Sequence, residues 1–170
     1  MENNNIFSPI YHKEIPQEFP ILIRETLTGY GGVGIHIIRN MDEFNEVWNP
    51  RFYWTPYEFL CSEYRVHIFN GEILRIFKKE LEENSEFPIR NNHSCHFSLR
   101  NPEQFPKLKT EIEKFAKIKE FSEGFFGLDV GWNREKFFFI EANSAPGLNE
   151  NSGNLLAEKI YAKLRTPRLP

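Results

Sequence analysis

GLDVGWNREKFFFIEAN, residues 127–143, reads as two short strands joined by a turn at WNREK. A turn centred near Glu135 places Asp129 directly opposite Glu141. Strand side chains alternate between faces, so Glu141 and Asn143 share one side. Phe138, Ile140 and Ala142 then point the other way, into a core. On the first strand Phe126, Leu128 and Val130 share a face, and Asp129 lies opposite. Gly127 and Gly131 flank Asp129 and leave open space beside it. Two opposed carboxylates repel each other. They relax by sharing a proton, or a cation bridges them. Two carboxylates and an amide oxygen make an all-oxygen set that suits Mg²⁺. The bland alternative is three solvated polar residues on an ordinary hairpin.

A second hairpin precedes it. EYRVHIF and EILRIFKK flank Asn70-Gly71, the strongest short hairpin signal. A two-residue turn sets Glu63 across from Lys78 and keeps Arg75 and Lys79 on one face. Upstream, Phe19–Glu25 and Ile35–Arg39 read as strands, with Asp42 capping a short helix to about Trp48. Tyr57–Leu60 is a short apolar run. Residues 80–98 read as a polar loop. Residues 102–121 read as a helix with Leu108, Ile112, Phe115 and Lys119 on one stripe. A closing helix spans 152–164, with Leu155, Leu156, Lys159 and Ile160 near one face. This order is α+β, with mainly antiparallel sheets.

Between the first strands lies Thr28–Gly34, TGYGGVG, with Gly29, Gly31, Gly32 and Gly34. Glycine lets backbone N–H groups approach a phosphate closely, or it makes a flexible hairpin tip. No Gly-Lys-Ser/Thr follows and a strand comes next, which excludes a P-loop and a dinucleotide fingerprint. Arg24, just before the loop, could reach a phosphate bidentately or stand at the surface of a strand end.

The totals narrow the class. The 170 residues carry a net charge of -3, so no general affinity for nucleic acid or anionic membrane is expected. No stretch reaches transmembrane length, and the start has no apolar run of the signal-peptide kind. Cys61 and Cys95 form no metal or redox motif, which fits a cytoplasmic protein with free thiols. His67, His93 and His96 have no common metal spacing and read as surface or loop histidines.

In series, these pieces resemble the ATP-grasp superfamily. The resemblance rests on Ile21–Arg24, Thr28–Gly34, Ile35–Ile38, Tyr57–Leu60, Glu63-Tyr64-Arg65-Val66, Asn70-Gly71, Asp129, and Glu141 through Leu148. The N-S-x-P-G-L ending and the twelve-residue gap from Asp129 to Glu141 are most similar to the RimK-type amino-acid ligases. The match covers roughly Phe19 to Leu164, and its order and spacing carry it more than any one motif.

The resemblance implies two lobes, residues 1–60 with the glycine loop and 61–170 with the metal hairpin, and ATP between them. The glycine loop would cover the phosphates, and Arg24 would stand where the family has a phosphate-contacting lysine. Backbone groups of Glu58, Phe59 and Leu60 would hold adenine. Asp129, Glu141 and Asn143 would hold one or two Mg²⁺ ions. Lys79 and Arg90 match basic residues that steady the transferred phosphate, and Asn92 matches a nearby polar position. Arg75 is a further candidate, although a paired structural arginine is the plainer reading. The implied reaction activates a carboxylate as an acylphosphate for attack by an amine. The substrates would include a carboxylate and an amine, which a peptide or protein could carry.

Three departures stand out. The family carries an additional N-terminal domain, whereas only residues 1–18 precede the first strand here. That domain supplies another ATP-binding lysine, and Lys13 lies too close to Arg24 in sequence to be its obvious replacement. Arginine stands at position 24 in place of lysine. A partner chain or a homodimer mate could supply the missing part. The rival expectation is a nucleotide-binding scaffold or assembly factor without ligase activity.

Overall fold

The computed structural model describes residues 7–26, 32–82, 88–90, 94–118, 121–148 and 150–165. Gly29, Gly31, Asn92, His93 and Lys119 lie outside the described residues.

Two antiparallel sheets form the molecule. The smaller has strand order β2-β1-β3, from β1 (Ile21–Arg24), β2 (Ile35–Ile38) and β3 (Tyr53–Pro56). Its core is Ile21, Ile23, Ile38 and Phe44, the last from helix α1 (Met41–Val47). The larger has order β6-β5-β4-β7-β8. It comprises β4 (Ser62–Phe69), β5 (Glu72–Leu81), β6 (Cys95–Arg100), β7 (Phe125–Trp132) and β8 (Phe137–Asn143). Helix α2 (Pro106–Ala116) lays Leu108, Ile112 and Phe115 onto Val66, Ile68, Ile76, Leu128, Val130 and Phe139. That buries one face of the large sheet and leaves the other for the cleft. Helix α3 (Glu150–Arg165) closes the chain.

Several expectations shift by a few residues. Asn40, not Asp42, caps α1, accepting from the Glu43 N–H. Residues 80–98 are not one loop: β5 runs to Leu81 and β6 begins at Cys95. Strand β3 precedes the Tyr57–Leu60 run, which itself forms no strand. Of the closing-helix face, Leu155, Leu156 and Lys159 are half-buried and Ile160 is exposed.

Register matters more. Asn70 and Gly71 turn with positive φ, as a tight hairpin requires. Next to the turn Phe69 faces Glu72 and Ile68 faces Ile73, but beyond it His67 faces Arg75. The bulge adds one residue to β5 and brings Tyr64, not Glu63, opposite Lys78. Glu63 meets Lys79 instead.

The second hairpin carries a bulge of its own. Asp129 faces Glu141 as expected, but Val130 faces Phe139. The extra residue reverses the inside-outside reading of β8. Phe139 enters the core, whereas Phe138 and Ile140 line the cleft beside Glu141 and Asn143.

The leading segment ties the sheets together. Phe7 forms a parallel bridge to Phe138 on the outer edge of β8, and its carbonyl accepts from the Phe139 N–H at 2.8 Å. Five residues on, His12 pairs antiparallel with Trp54 on the outer edge of β3.

Candidate nucleotide site

A cleft of about 400 Å³ opens between the two sheets. Its small-lobe wall carries Leu22, Arg24, Gly32 and Thr55, and its large-lobe wall carries Glu63, Arg65, Lys79, Asp129, Glu141 and Asn143. Tyr57, Glu58 and Leu60 form the connection between lobes at one end. A volume of this order suits a small-molecule or cofactor ligand.

The floor is a buried ion network. The Arg65 guanidinium donates through Nε to Asp129 Oδ1 and through Nη2 to Asp129 Oδ2, both at 2.7 Å. Lys79 Nζ donates to Asp129 Oδ2 at 2.7 Å, to Glu63, and to the Arg90 carbonyl at 3.2 Å. All three ammonium protons are therefore used. Lys79 is 4% exposed and Asp129 3%. Two cations meet two carboxylates in this interior, which is how such burial becomes tolerable.

The charge states follow. Burial works against the Asp129 carboxylate, yet Arg65 and Lys79 outweigh it and hold its pKa below the usual carboxylate range. Burial also opposes charge on Lys79, but Glu63 and Asp129 keep it protonated. Glu63 moves the other way: burial pushes its carboxyl up, and Lys79 only partly offsets this. The difference has a geometric cause, since Asp129 has a second cation in Arg65.

The opposed carboxylates therefore do not face bare repulsion. Arg65 Nη2 also lies 4.0 Å from Glu141 Oε1, so one guanidinium sits between them. Its ring-side neighbour is Phe97, 5.4 Å from the guanidinium carbon. The same Glu141 oxygen accepts from Asn143, whose Nδ2 donates to Oε1 at 2.7 Å. Among the described residues no cluster of three or more His, Cys, Asp or Glu could hold a metal ion. Glu141 and Asn143 keep oxygens toward the cleft, while both Asp129 oxygens already accept from the protein.

The glycines beside Asp129 do not frame empty space. A Cβ on Gly131 would come within 2.5 Å of Leu60 Cδ1, and one on Gly127 within 2.5 Å of Pro146 Cβ. The missing side chains admit Leu60 from the lobe connection and Pro146 from the loop after β8.

Arg90 is held against the lobe connection. Its Nη2 donates to the Leu60 carbonyl at 3.2 Å, and the Tyr57 hydroxyl donates to the Pro88 carbonyl at 3.1 Å. Glu58 and Leu60 line the cleft, and the Phe59 side chain is exposed. Arg24 faces the cleft, and its Nε is buried without a hydrogen-bond partner among the described residues. A buried guanidinium N–H left unpaired is costly, and an anion in the cleft would satisfy it. Gly32 lines the cleft, and Gly34 pairs through its carbonyl with the Glu25 N–H at 2.9 Å.

Sequence reasoning missed His67. It is not at the surface but 2% exposed, between the rings of Phe77 and Phe125, with both ring nitrogens unpartnered among the described residues. Its place in an alternating apolar strand was the available signal. Arg75, opposite it, is half-buried rather than fully paired: one Nη1 contact reaches the Leu74 carbonyl at 3.4 Å, and its Nε has no partner among the described residues. His96 is exposed and meets Glu80 at 3.0 Å. Both cysteines are free thiols.

No protein-family model matches the chain. Among curated proteins it is similar to the uncharacterized protein MG011 of Mycoplasma genitalium, 28% identical over 131 residues, 75% of this chain and 44% of that protein. The MG011 homolog of Mycoplasma pneumoniae is 27% identical, over 98% of this chain and 55% of that protein. The chain thus spans about half the length of the curated relatives it matches. Among solved structures, D-alanine–D-alanine ligase from Bacillus anthracis superimposes with a TM-score of 0.67 at 16% identity, over 95% of this chain and 64% of that one. The ATP-grasp ligase PsnB, complexed with a minimal precursor, gives 0.67 at 10% identity, over 96% and 57%. The macrocyclase MdnC from Microcystis aeruginosa MRC, bound to precursor peptide MdnA, gives 0.63 at 12%, over 94% and 57%. The chain has the α+β fold of the ATP-grasp ligases, over somewhat more than half of their length.

Proposed function

We propose that the protein binds ATP with Mg²⁺ in this cleft and joins a carboxylate to an amine. The observation that carries the reading is Arg24: it lines a cleft of nucleotide size, and its buried Nε–H has no partner among the described residues. The fold of neighbours solved with ATP, and with Mg and ADP, supports it.

In this reading residues 1–60 form the lobe that covers the phosphates and 61–170 the lobe that holds the ion. Arg24 and the glycine loop, Gly29 to Gly34, bind the phosphate chain. Backbone groups of Glu58, Phe59 and Leu60 hold adenine, and Leu60, seated on Gly131, keeps water from that end. Mg²⁺ arriving with the triphosphate would take Glu141 and Asn143, with phosphate and water oxygens completing its shell. It would supply neutralisation of the phosphate charge. Asp129 contributes by fixing Arg65, and through it Glu141. Lys79 acts through Asp129 rather than on phosphate. Arg90 and Asn92 remain the candidates for steadying the transferred group. The terminal phosphoryl passes to a carboxylate oxygen, releasing ADP; the amine nitrogen then attacks the acyl carbon, and phosphate leaves. Positioning and charge neutralisation supply most of the rate in such chemistry.

RimK-type use of an amino acid or peptide is the substrate class we favour, and the peptide complexes of PsnB and MdnC support it. A partner chain or a second copy would complete the acceptor side. We place the protein in the cytoplasm, where its two free thiols stay reduced. Among the described residues no helix is long and apolar enough to cross a membrane.

One observation favours a nucleotide-binding scaffold instead: every Asp129 oxygen is already engaged by Arg65 or Lys79. The two readings separate experimentally. Saturating Mg-ATP should raise the melting temperature by several degrees, because ligand at a hundredfold excess over its Kd adds about 2.7 kcal/mol. Arg24→Met should cut that affinity about tenfold without lowering the melting temperature of the free protein. No shift with Mg-ATP would remove both nucleotide readings. Nucleotide bound, but never converted to ADP and phosphate across a screen of carboxylates and amines, would leave the scaffold.

A further inference from the structure

We infer that Lys13 supplies a second positive charge to the phosphate end of the cleft, beside Arg24, so that the leading segment itself takes part in nucleotide binding. This rests on the nucleotide reading above.

The segment is fixed where it matters. His12 N–H donates to the Trp54 carbonyl at 2.8 Å, and the Trp54 N–H donates to the His12 carbonyl at 3.0 Å. The His12 ring stacks on the Trp54 indole at 4.5 Å, and the indole N–H donates to the Glu14 carbonyl at 2.6 Å. Lys13 is therefore pinned on both sides. Alternation turns it away from Trp54 and onto Tyr53: its Nζ lies 4.6 Å from the centre of that ring, with Tyr11 edge-on at 6.4 Å.

Tyr53 lies directly opposite Arg24 in the β1–β3 register. Opposed side chains share a face, and it is the face on which the neighbouring pair Leu22 and Thr55 line the cleft. Lys13 and Arg24 thus stand at the same end of the same face, two strand spacings apart, or about 10 Å. Arg24 is central, with β2, which follows Gly32 and Gly34, on one side and Lys13 beyond β3 on the other. Pro9 of the same segment lines the cleft directly. Among the described residues no carboxylate forms an ion pair with Lys13, whose backbone N–H alone meets Glu14. Its charge is uncommitted, and its long stem can swing from the ring to an anion. The short sequence distance to Arg24 set Lys13 aside as a phosphate ligand; the fold-back onto β3 cancels that objection.

The test is isothermal titration of the full chain with ATP, AMP and adenosine in Mg²⁺. Lys13→Met should weaken ATP about tenfold, leave adenosine unchanged, and reduce the salt dependence of ATP binding; Lys13→Arg should recover most of the loss. An unchanged melting temperature checks the fold. If ATP binds and Lys13→Met leaves it unchanged, or weakens ATP and adenosine alike, the assignment of Lys13 is wrong while the nucleotide reading stands. If the unaltered chain binds no ATP, both fall together.

Discussion

Lys79→Met should destabilise the protein by about 3–5 kcal/mol, the usual cost of leaving a buried charge without its partner. Methionine matches the lysine stem in length, so little packing is lost. What is lost is a cation that touches both Glu63 and Asp129. Asp129 keeps Arg65; Glu63, already pushed toward its neutral form by burial, keeps among the described residues only the weaker pull of Arg90. Adding Glu63→Gln to Lys79→Met should therefore recover roughly half of the loss, measured by urea denaturation of all four members of the cycle. A single-variant cost below about 1 kcal/mol would mean that the network is not as dry as its 4% and 3% exposures indicate. The same result limits what activity data can say. Loss of turnover in a Lys79 variant would arise from collapse of the Asp129–Arg65–Glu141 arrangement whether or not Lys79 ever meets a phosphate.

Acid should unfold the protein partly through His67. Its imidazole is buried among Phe77, Phe125 and the strand facing Gly127, and burial, reinforced by the nearby Arg65, lowers its pKa to about 4. Arg75 stands opposite, and Asp129 opposes the shift only weakly. In the unfolded chain the same group titrates near 6.5. Above that pH it is neutral in both states and contributes nothing to the pH dependence. Between about 6.5 and 4 the unfolded state binds a proton that the folded state refuses. Stability then falls as pH falls, by up to about 1.4 kcal/mol per unit and at most about 3.4 kcal/mol in all. His67→Leu removes the titration together with the two nitrogens that lack a partner among the described residues. Its stability should decline less across that window than that of the unaltered protein. Parallel curves for the two would show that His67 is already hydrated or hydrogen-bonded in the folded state.

Part of this site was legible because it is local. Asp129 and Glu141 belong to one hairpin, and a turn position fixes their pairing even though a bulge lies between them and the turn. Inside-outside assignment of Phe138 and Ile140 was not legible, since one extra residue inverts alternation and leaves no mark in composition. The same cause moved Glu63 from Lys78 to Lys79. Arg65 escaped notice as the charge between the carboxylates because it comes from β4, 64 residues before Asp129. Only sheet order brings it there. Strand β3 hid behind its closing proline, Pro56, tolerated because it stands at the last ladder position, opposite Ile21, of an edge strand. Strand β6 hid because CHFSLR mixes polar and apolar residues: Ser98 and Arg100 serve Glu80 on one side, while Phe97 supports Arg65 on the other.

The leading segment also bears on solubility. Each sheet has two outer strands whose free peptide groups invite another chain to pair with them. Residues 7–14 engage one such strand from each sheet, Phe7 on β8 and His12 on β3. A single stretch of eight residues thereby masks a sticky margin on both lobes at once. Proteolytic nicking there would unmask both margins together, turning a guarded surface into one prone to self-association.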